Sequence, residues 1–156
     1  MRRILVSSVL LFLVAAAPAL AGDAVPFKGV WSGSTISAVP LTPDQVMVVA
    51  SGSGHATIVG KFVMTAPHIS FLSTGAVEGT QVFVAANGDA LYATFSGALA
   101  PNAEGNLEGV LPATITGGTG RVAHATGSYA FHIVARPAAF GFDSTASIDG
   151  TIVVSR

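Results

Sequence analysis

The chain has 156 residues, of which 51% are hydrophobic and 10% are charged, with a formal net charge of −1 at neutral pH. Proteins that bind nucleic acid need a basic face, and proteins attracted to anionic membranes need clustered Lys and Arg, so this balance argues against both classes. The chain has no cysteine, which excludes disulfides and a lipid-anchored amino-terminal cysteine.

The first 21 residues have the pattern of a secretory signal peptide. Arg2 and Arg3 precede an apolar run over 4–17, and Pro18 then leads into the small-x-small sequence of 19–21. The run is shorter than the ~20 residues of a membrane span, although a retained anchor is the alternative. We predict cleavage before Gly22, export to the periplasm or the medium, and no stable membrane span afterwards.

Residues 22–156 are predicted to form a single domain. They keep five basic and eight acidic residues, for a formal charge of −3, and contain all eighteen glycines. A chain of this size buries about two-thirds of its unfolded surface, so it folds without disulfides.

Short runs rich in Val, Ile, Phe, Thr, Tyr and Ala recur between glycines, and no stretch shows a helical period. The predicted strands are 27–38, 45–50, 56–65, 69–73, 78–86, 90–98, 107–115, 128–135 and 144–154. Residues 52–55 are interpreted as a loop, Pro67 as a strand end, and Thr42 to Asp44 as a loop or one helical turn. The pattern predicts an all-β fold, most simply a small barrel, with a β-sandwich as the alternative.

Asn87-Gly88 predicts a β-hairpin between two of these strands. A two-residue loop would place Val84 opposite Leu91, whereas a three-residue loop would place Phe83 opposite Leu91. We prefer the longer loop, because it puts both phenylalanines of the hairpin on one face.

The segment "TGGTGRVAHATGSYAF", residues 116–131, suggests either a phosphate-binding turn or a sharp corner between strands. A dinucleotide-binding turn must open a helix, but here a glycine and then a strand-like run follow. The chain also has no Gly-Lys-Ser/Thr sequence. We therefore predict a structural turn between strands, made by glycines whose backbone is free of steric restriction. These are Gly117, Gly118, Gly120 and Gly127.

Three stretches resemble a set of small secreted bacterial proteins of unknown function: Gly52–Phe62, Ala85–Phe95 and Ile115–Arg121. The glycine turn also resembles that of the dirigent and allene oxide cyclase barrels, although Val122 replaces the usual Phe and His124 a small residue. The resemblance implies an eight-stranded antiparallel barrel whose apolar lumen holds a reactive small molecule without a cofactor.

No catalytic residue or metal ligand is predicted, because the histidines lack zinc-site spacing and Gly-x-Ser-x-Gly is absent. Glu108 lies in a predicted strand and needs a partner if buried, for which Arg121 is the candidate, most simply as a structural tie. Polar side chains in a lumen would orient a ligand. The predicted ligand-binding residues are Tyr92, Glu108, Arg121, Tyr129 and His132.

Three functions remain open at this level. The first is a non-catalytic module that binds a hydrophobic small molecule or associates with the cell envelope. The second is a cofactor-free cyclase or dirigent-like protein, and the third, suggested by the low charge, is a self-associating homo-oligomer. A lumen lined by Arg121, a carboxylate and a tyrosine favours the cyclase, whereas a lumen filled by Phe and Leu favours the others.

Overall fold

A computed structural model describes residues 22–154, and the predicted signal peptide lies outside these residues. The described chain contains no helix long and apolar enough to cross a membrane. Its elements are β1 Ala24–Pro40, β2 Gln45–Ala56, β3 Gly60–Phe71, β4 Ala76–Ala85, β5 Ala90–Ala98, β6 Ala100–Pro101, β7 Leu107–Gly118, a 3-10 turn Gly120–Val122, β8 Thr126–Pro137 and β9 Phe142–Val153.

Eight strands form one closed antiparallel barrel. The order around the sheet is β5-β4-β3-β2-β1-β9-β8-β7, and pairing of β5 with β7 closes it, while the short β6 pairs with the start of β7. The first and last strands pair from Ala24 with Val153 to Ser34 with Asp143. Closure leaves no exposed sheet edge for pairing with another chain. The prediction of an all-β, eight-stranded barrel is confirmed.

The two ends of the barrel differ. At the covered end, the loops 57–59, 86–89 and 119–125 bring Val59, Val122 and Ala125 into the core, where each is at most 6% exposed. At the open end, the loops 41–44, 72–75, 99–106 and 138–141 consist largely of exposed residues.

Aromatic rings fill the half of the lumen next to the covered end. Phe27, Phe62, Phe83 and Tyr129 meet edge to face, with centroid separations from 5.0 to 6.3 Å. Phe27 and Phe83 are fully buried. Burial of such a ring contributes roughly 1.5–3 kcal/mol, so this aromatic cluster is a main source of stability.

The predicted loop over 52–55 is wrong, because β2 continues to Ala56. The alternate residues Gly52 and Gly54 face the lumen in the register of Trp31 with Gly54. A Cβ at Gly54 would lie 2.6 Å from the Phe62 ring, so the absence of a side chain there makes room for packing. The turn occurs instead at 57–59, within a predicted strand.

The predicted strand end at Pro67 is also wrong, because β3 continues to Phe71. Pro67 pairs with Val49 of β2. On the other side, Ala66 and Pro67 have no partner in β4, which fits the missing backbone N–H of proline. One long strand therefore replaces two predicted short ones.

The turns agree with the sequence-based predictions better than these strand boundaries do. Phe83 lies opposite Leu91, as the three-residue loop predicted, and Gly88 has a φ of 88°. Residues 41–44 form a loop without a helical turn, in which the Thr42 hydroxyl oxygen accepts the backbone N–H of Gln45 at 3.1 Å.

The glycine cluster turns the chain from β7 into β8 through a single 3-10 turn rather than a helix. Three of its glycines have positive φ: Gly117 at 146°, Gly120 at 55° and Gly127 at 143°. Gly118 pairs with Leu91, and a Cβ there would lie 2.5 Å from the Ala90 carbonyl oxygen. A nucleotide-binding helix is therefore absent from this segment.

Candidate functional site

A cavity of about 40 Å³ lies within the half of the lumen next to the open end, and we call it the lumen cavity. Small inward-facing residues such as Ala50 and Ala66 leave this space between larger side chains. The side chains that matter for its chemistry are Trp31, Met64, His68, Gln81, Phe95 and Phe131.

Trp31 of β1 lines the cavity beside Phe131 of β8, with their ring centroids 5.9 Å apart. Gly33, the next inward residue of β1, makes room for the indole, because a Cβ there would lie 2.4 Å from its Cζ2 atom. The sequence of β1 thus allows a large ring to lie beside the cavity.

The indole N–H of Trp31 has no hydrogen-bond partner, although the residue is only 3% exposed. A buried donor without a partner costs about 1–3 kcal/mol, and such groups are rare in native structures. The cavity has room for about one to three water molecules. Trp31 lines the cavity, so an acceptor atom of a water molecule or ligand that reached Nε1 from there would satisfy this donor.

Gln81 and Tyr129 form a buried polar pair in the lumen. The Tyr129 hydroxyl donates to the Gln81 side-chain oxygen, and the two residues are 4% and 1% exposed respectively. Burial raises the pKa of the Tyr129 phenol far above its usual value, so the hydroxyl stays protonated and remains a donor.

His68 is the titratable residue that lines the cavity near the open end. Burial lowers its pKa below the usual 6.5, against a smaller opposing effect of the hydrogen bond between Nδ1 and the Ala66 carbonyl oxygen at 2.9 Å. The neutral ring that donates from Nδ1 has an unprotonated Nε2, which is an acceptor. The ring also contacts Phe95 edge to face.

Of the predicted ligand-binding residues, Tyr129 alone faces the lumen. Tyr92, Glu108 and His132 lie on the outer wall. Side chains alternate along a strand, and on the same strands Leu91, Leu111 and Phe131 occupy inward positions of the opposite parity. Arg121 lies in the 3-10 turn at the covered end, with its side chain 72% exposed. A ligand role for the four outer residues stays a prediction.

The expected ion pair between Glu108 and Arg121 does not form. Arg121 Nε lies 3.3 Å from Asp89 Oδ2, and Glu108 accepts a hydrogen bond from Asn102 at 3.0 Å. Glu108 is near the start of β7 and Arg121 follows its end, so roughly 30 Å of strand separates them.

Gln81, His68 and the unpartnered donor of Trp31 were not predicted as site groups from the sequence. Gln81 could have been found, because the preferred hairpin register gives it the parity of Phe83 and thus an inward position. His68 was hidden by the false strand end at Pro67. Within residues 22–154, no group of three His, Cys, Asp or Glu residues is placed to hold a metal ion.

No protein-family model matches this chain, and no curated protein matches it. Among solved structures, it is similar to the pterocarpan synthase dirigent protein GePTS1, with 14% identity over 97% of this chain and 100% of that chain, and a TM-score of 0.52. It also aligns with the pterocarpan synthase dirigent protein PsPTS1, with 13% identity over 90% and 99% of the two chains and a TM-score of 0.47.

The likeness to GePTS1 defines the class of fold as a dirigent-like eight-stranded β-barrel. The resemblance to dirigent barrels noted from the glycine turn is confirmed for the fold. At 14% identity the likeness extends to the fold alone, so function is argued below from the residues of this chain.

Proposed function

We propose that this protein is an exported binding module that holds a small, uncharged hydrophobic molecule in its barrel lumen without a cofactor. The observation that carries the proposal is the unpartnered indole N–H of Trp31, a residue that lines a cavity whose other walls are apolar apart from His68 and Gln81. Ligand sites characteristically combine apolar walls with a few placed polar groups.

The lining indicates the chemistry of the ligand. Trp31 supplies a donor for a carbonyl or ether oxygen, and His68 Nε2 supplies an acceptor for a hydroxyl. Gln81 and Ser144 are the buried polar residues in the described range, so the lumen offers no opposite charge to an ionised ligand. We therefore expect a neutral molecule with an apolar body.

The lumen cavity is small compared with the roughly 300–1,000 Å³ of typical ligand sites. A ligand of more than a few atoms therefore needs lining side chains to move. Leu99 lines the cavity from outside the regular strands at the open end. Met64 has an unbranched side chain that repacks easily. We expect entry at the open end with displacement of these two residues.

The test uses two isosteric probes, acetophenone and α-methylstyrene, of which only the ketone has a carbonyl oxygen as acceptor. Ligand-observed NMR should show the ketone binding about three- to tenfold more tightly, the worth of one hydrogen bond. Trp31→Phe should remove this preference, because it removes the N–H while keeping a ring.

Thr94→Val is the matched control, since it removes one hydroxyl group from the outer wall and keeps the shape of the side chain. This variant should keep the preference for the ketone. Equal binding of both probes by the unmodified protein, or the same loss in both variants, would contradict the proposal. If the preference for the ketone is found, native mass spectrometry of protein from its own cell envelope would identify the natural ligand class.

The cyclase alternative receives less support from the lumen. Of the groups it requires there, Tyr129 is present, whereas Arg121 is in a surface turn and no carboxylate is among the buried residues described. Self-association stays a prediction based on low charge, and size-exclusion chromatography tests it.

A further inference from the structure

Exposed apolar side chains of the described residues lie both on the outer wall and at the open end of the barrel. Five large ones lie on β1 near its end and in the β1–β2, β3–β4 and β8–β9 loops, and we call them the apolar rim. They are Ile36, Val39, Leu41, Leu72 and Phe140, with exposures of 58%, 52%, 50%, 63% and 57%.

Hydrogen bonds between loops hold the rim in place. The Asp44 carbonyl accepts the N–H of Leu72 at 2.8 Å, and its carboxylate accepts the N–H of Ser73 at 2.7 Å. On the other side, the Thr35 hydroxyl accepts the N–H of Phe142 at 3.1 Å. The β1–β2 and β3–β4 loops are therefore connected, and the start of β9 is held to β1, before any partner binds, which lowers the entropic cost of docking.

The charges around the rim select among partners. The loops of the open end contain Asp44 and Glu104 and no basic residue. The adjoining strand ends add Glu78, Glu108 and Asp143 against Arg136. This acidic surrounding would repel an anionic surface, and it would also repel a second copy docked end to end.

We infer that the apolar rim inserts into the surface of a zwitterionic lipid bilayer, with the open end of the barrel facing the lipid. Apolar side chains on protruding loops can enter the boundary between headgroups and acyl chains without a groove on the partner. An acidic, lysine-free surrounding fits a surface without net charge. The inference goes beyond lumen binding and would stand if the lumen held no ligand.

The experiment is flotation of the exported protein with phosphatidylcholine vesicles. The rim variant combines Leu41→Ser, Leu72→Ser and Phe140→Ser. The control combines Val30→Ser, Val63→Ser and Val110→Ser, which remove three side chains of the outer wall with exposures of 63%, 53% and 48%. Circular dichroism and Trp31 fluorescence establish that each variant is folded.

We expect the unmodified protein to float with the vesicles, the rim variant to bind at least tenfold less, and the control to stay within about twofold, because affinity follows the apolar area inserted. The inference is overturned by no binding of the unmodified protein, by an equal loss in the control, or by tighter binding to phosphatidylglycerol vesicles. A dimer that the rim variant dissociates, without vesicle binding, would instead assign the rim to a second copy.

Discussion

The hydrogen bond between Tyr129 and Gln81 joins β8 to β4 across a lumen that is otherwise apolar. Tyr129→Phe should destabilise the protein by about 1–3 kcal/mol, because the side-chain amide oxygen of Gln81 stays buried without its donor. Gln81→Leu should cost a similar amount by leaving the phenol unpaired. The double variant should lose less than the sum of the two, since it leaves neither group orphaned. Urea unfolding measures all three, and strict additivity would contradict the coupling.

His68 should make stability depend on pH. Its folded-state pKa lies below the usual 6.5, so the unfolded chain binds a proton more readily than the folded chain. Stability should therefore be complete above pH 6.5 and should fall as pH decreases from there toward the lowered pKa. Urea midpoints between about pH 8 and about pH 5 would show this decline.

In His68→Gln the decline should be smaller, whereas His132→Gln, which alters an exposed histidine of the outer wall, should retain it. The carboxyl group of Asp89 does not contribute to this decline in stability. Hydrogen bonds from Asn87 and from the Arg121 backbone lower the pKa of its carboxyl group below the usual 3.8, so it stays ionised. An unchanged pH dependence in His68→Gln would contradict the assignment.

At the scale of elements, two turns at the covered end are linked through Asp89. Its carboxylate accepts the backbone N–H of Arg121 at 3.1 Å, and the Thr119 hydroxyl accepts the N–H of Ala90 at 2.8 Å. The β4–β5 hairpin and the 3-10 turn therefore stabilise each other and position the first residues of β8.

This linkage predicts different costs for two substitutions that each place alanine at a positive φ. Gly88→Ala meets no neighbour and should cost about 1 kcal/mol, the penalty of a positive φ. Gly120→Ala adds a Cβ only 1.8 Å from Asp89 Oδ1, so the carboxylate must move and its hydrogen bond with the Arg121 backbone N–H is disturbed. Thermal unfolding should show the larger loss in Gly120→Ala, and equal losses would show that the contact with Asp89 is unimportant.

Local turn chemistry was predictable from the sequence, whereas strand length was not. Asn87-Gly88 correctly gave the hairpin and its register, because a turn is determined by a few adjacent residues. Gly52, Gly54 and Pro67 suggested breaks but lie within strands, where cross-strand neighbours decide the conformation. An inward glycine facing Phe62 cannot be distinguished from a loop glycine until the partner strand is known.

At the scale of the whole molecule, the site depends on distances that a linear pattern does not contain. Gln81 and Tyr129 are 48 residues apart and meet only because the barrel closes. Glu108 and Arg121 lie at opposite ends of the barrel for a simpler reason, because the extended strand β7 separates them. The fold class was thus accessible from the sequence, and of the proposed site Tyr129 was predicted and the inward position of Gln81 was predictable from the hairpin register.

Closure also predicts that the barrel unfolds as one unit. β1 lies between β2 and β9 in the sheet, and its Trp31 packs against Phe131 of β8, so loss of β1 would open the barrel on both sides. Trp31 is the single tryptophan of the chain and reports on the half of the lumen next to the open end.

Urea unfolding followed by tryptophan fluorescence and by far-ultraviolet circular dichroism should therefore give one coincident transition. Addition of the ketone probe should shift both curves together, because a ligand bound only to the folded state stabilises the whole unit. A fluorescence transition at lower urea than the dichroism transition would contradict this, and it would mean that the open half loosens while the aromatic cluster around Phe83 stays folded. In that case, ligand entry would require only local opening of the strands around the lumen cavity.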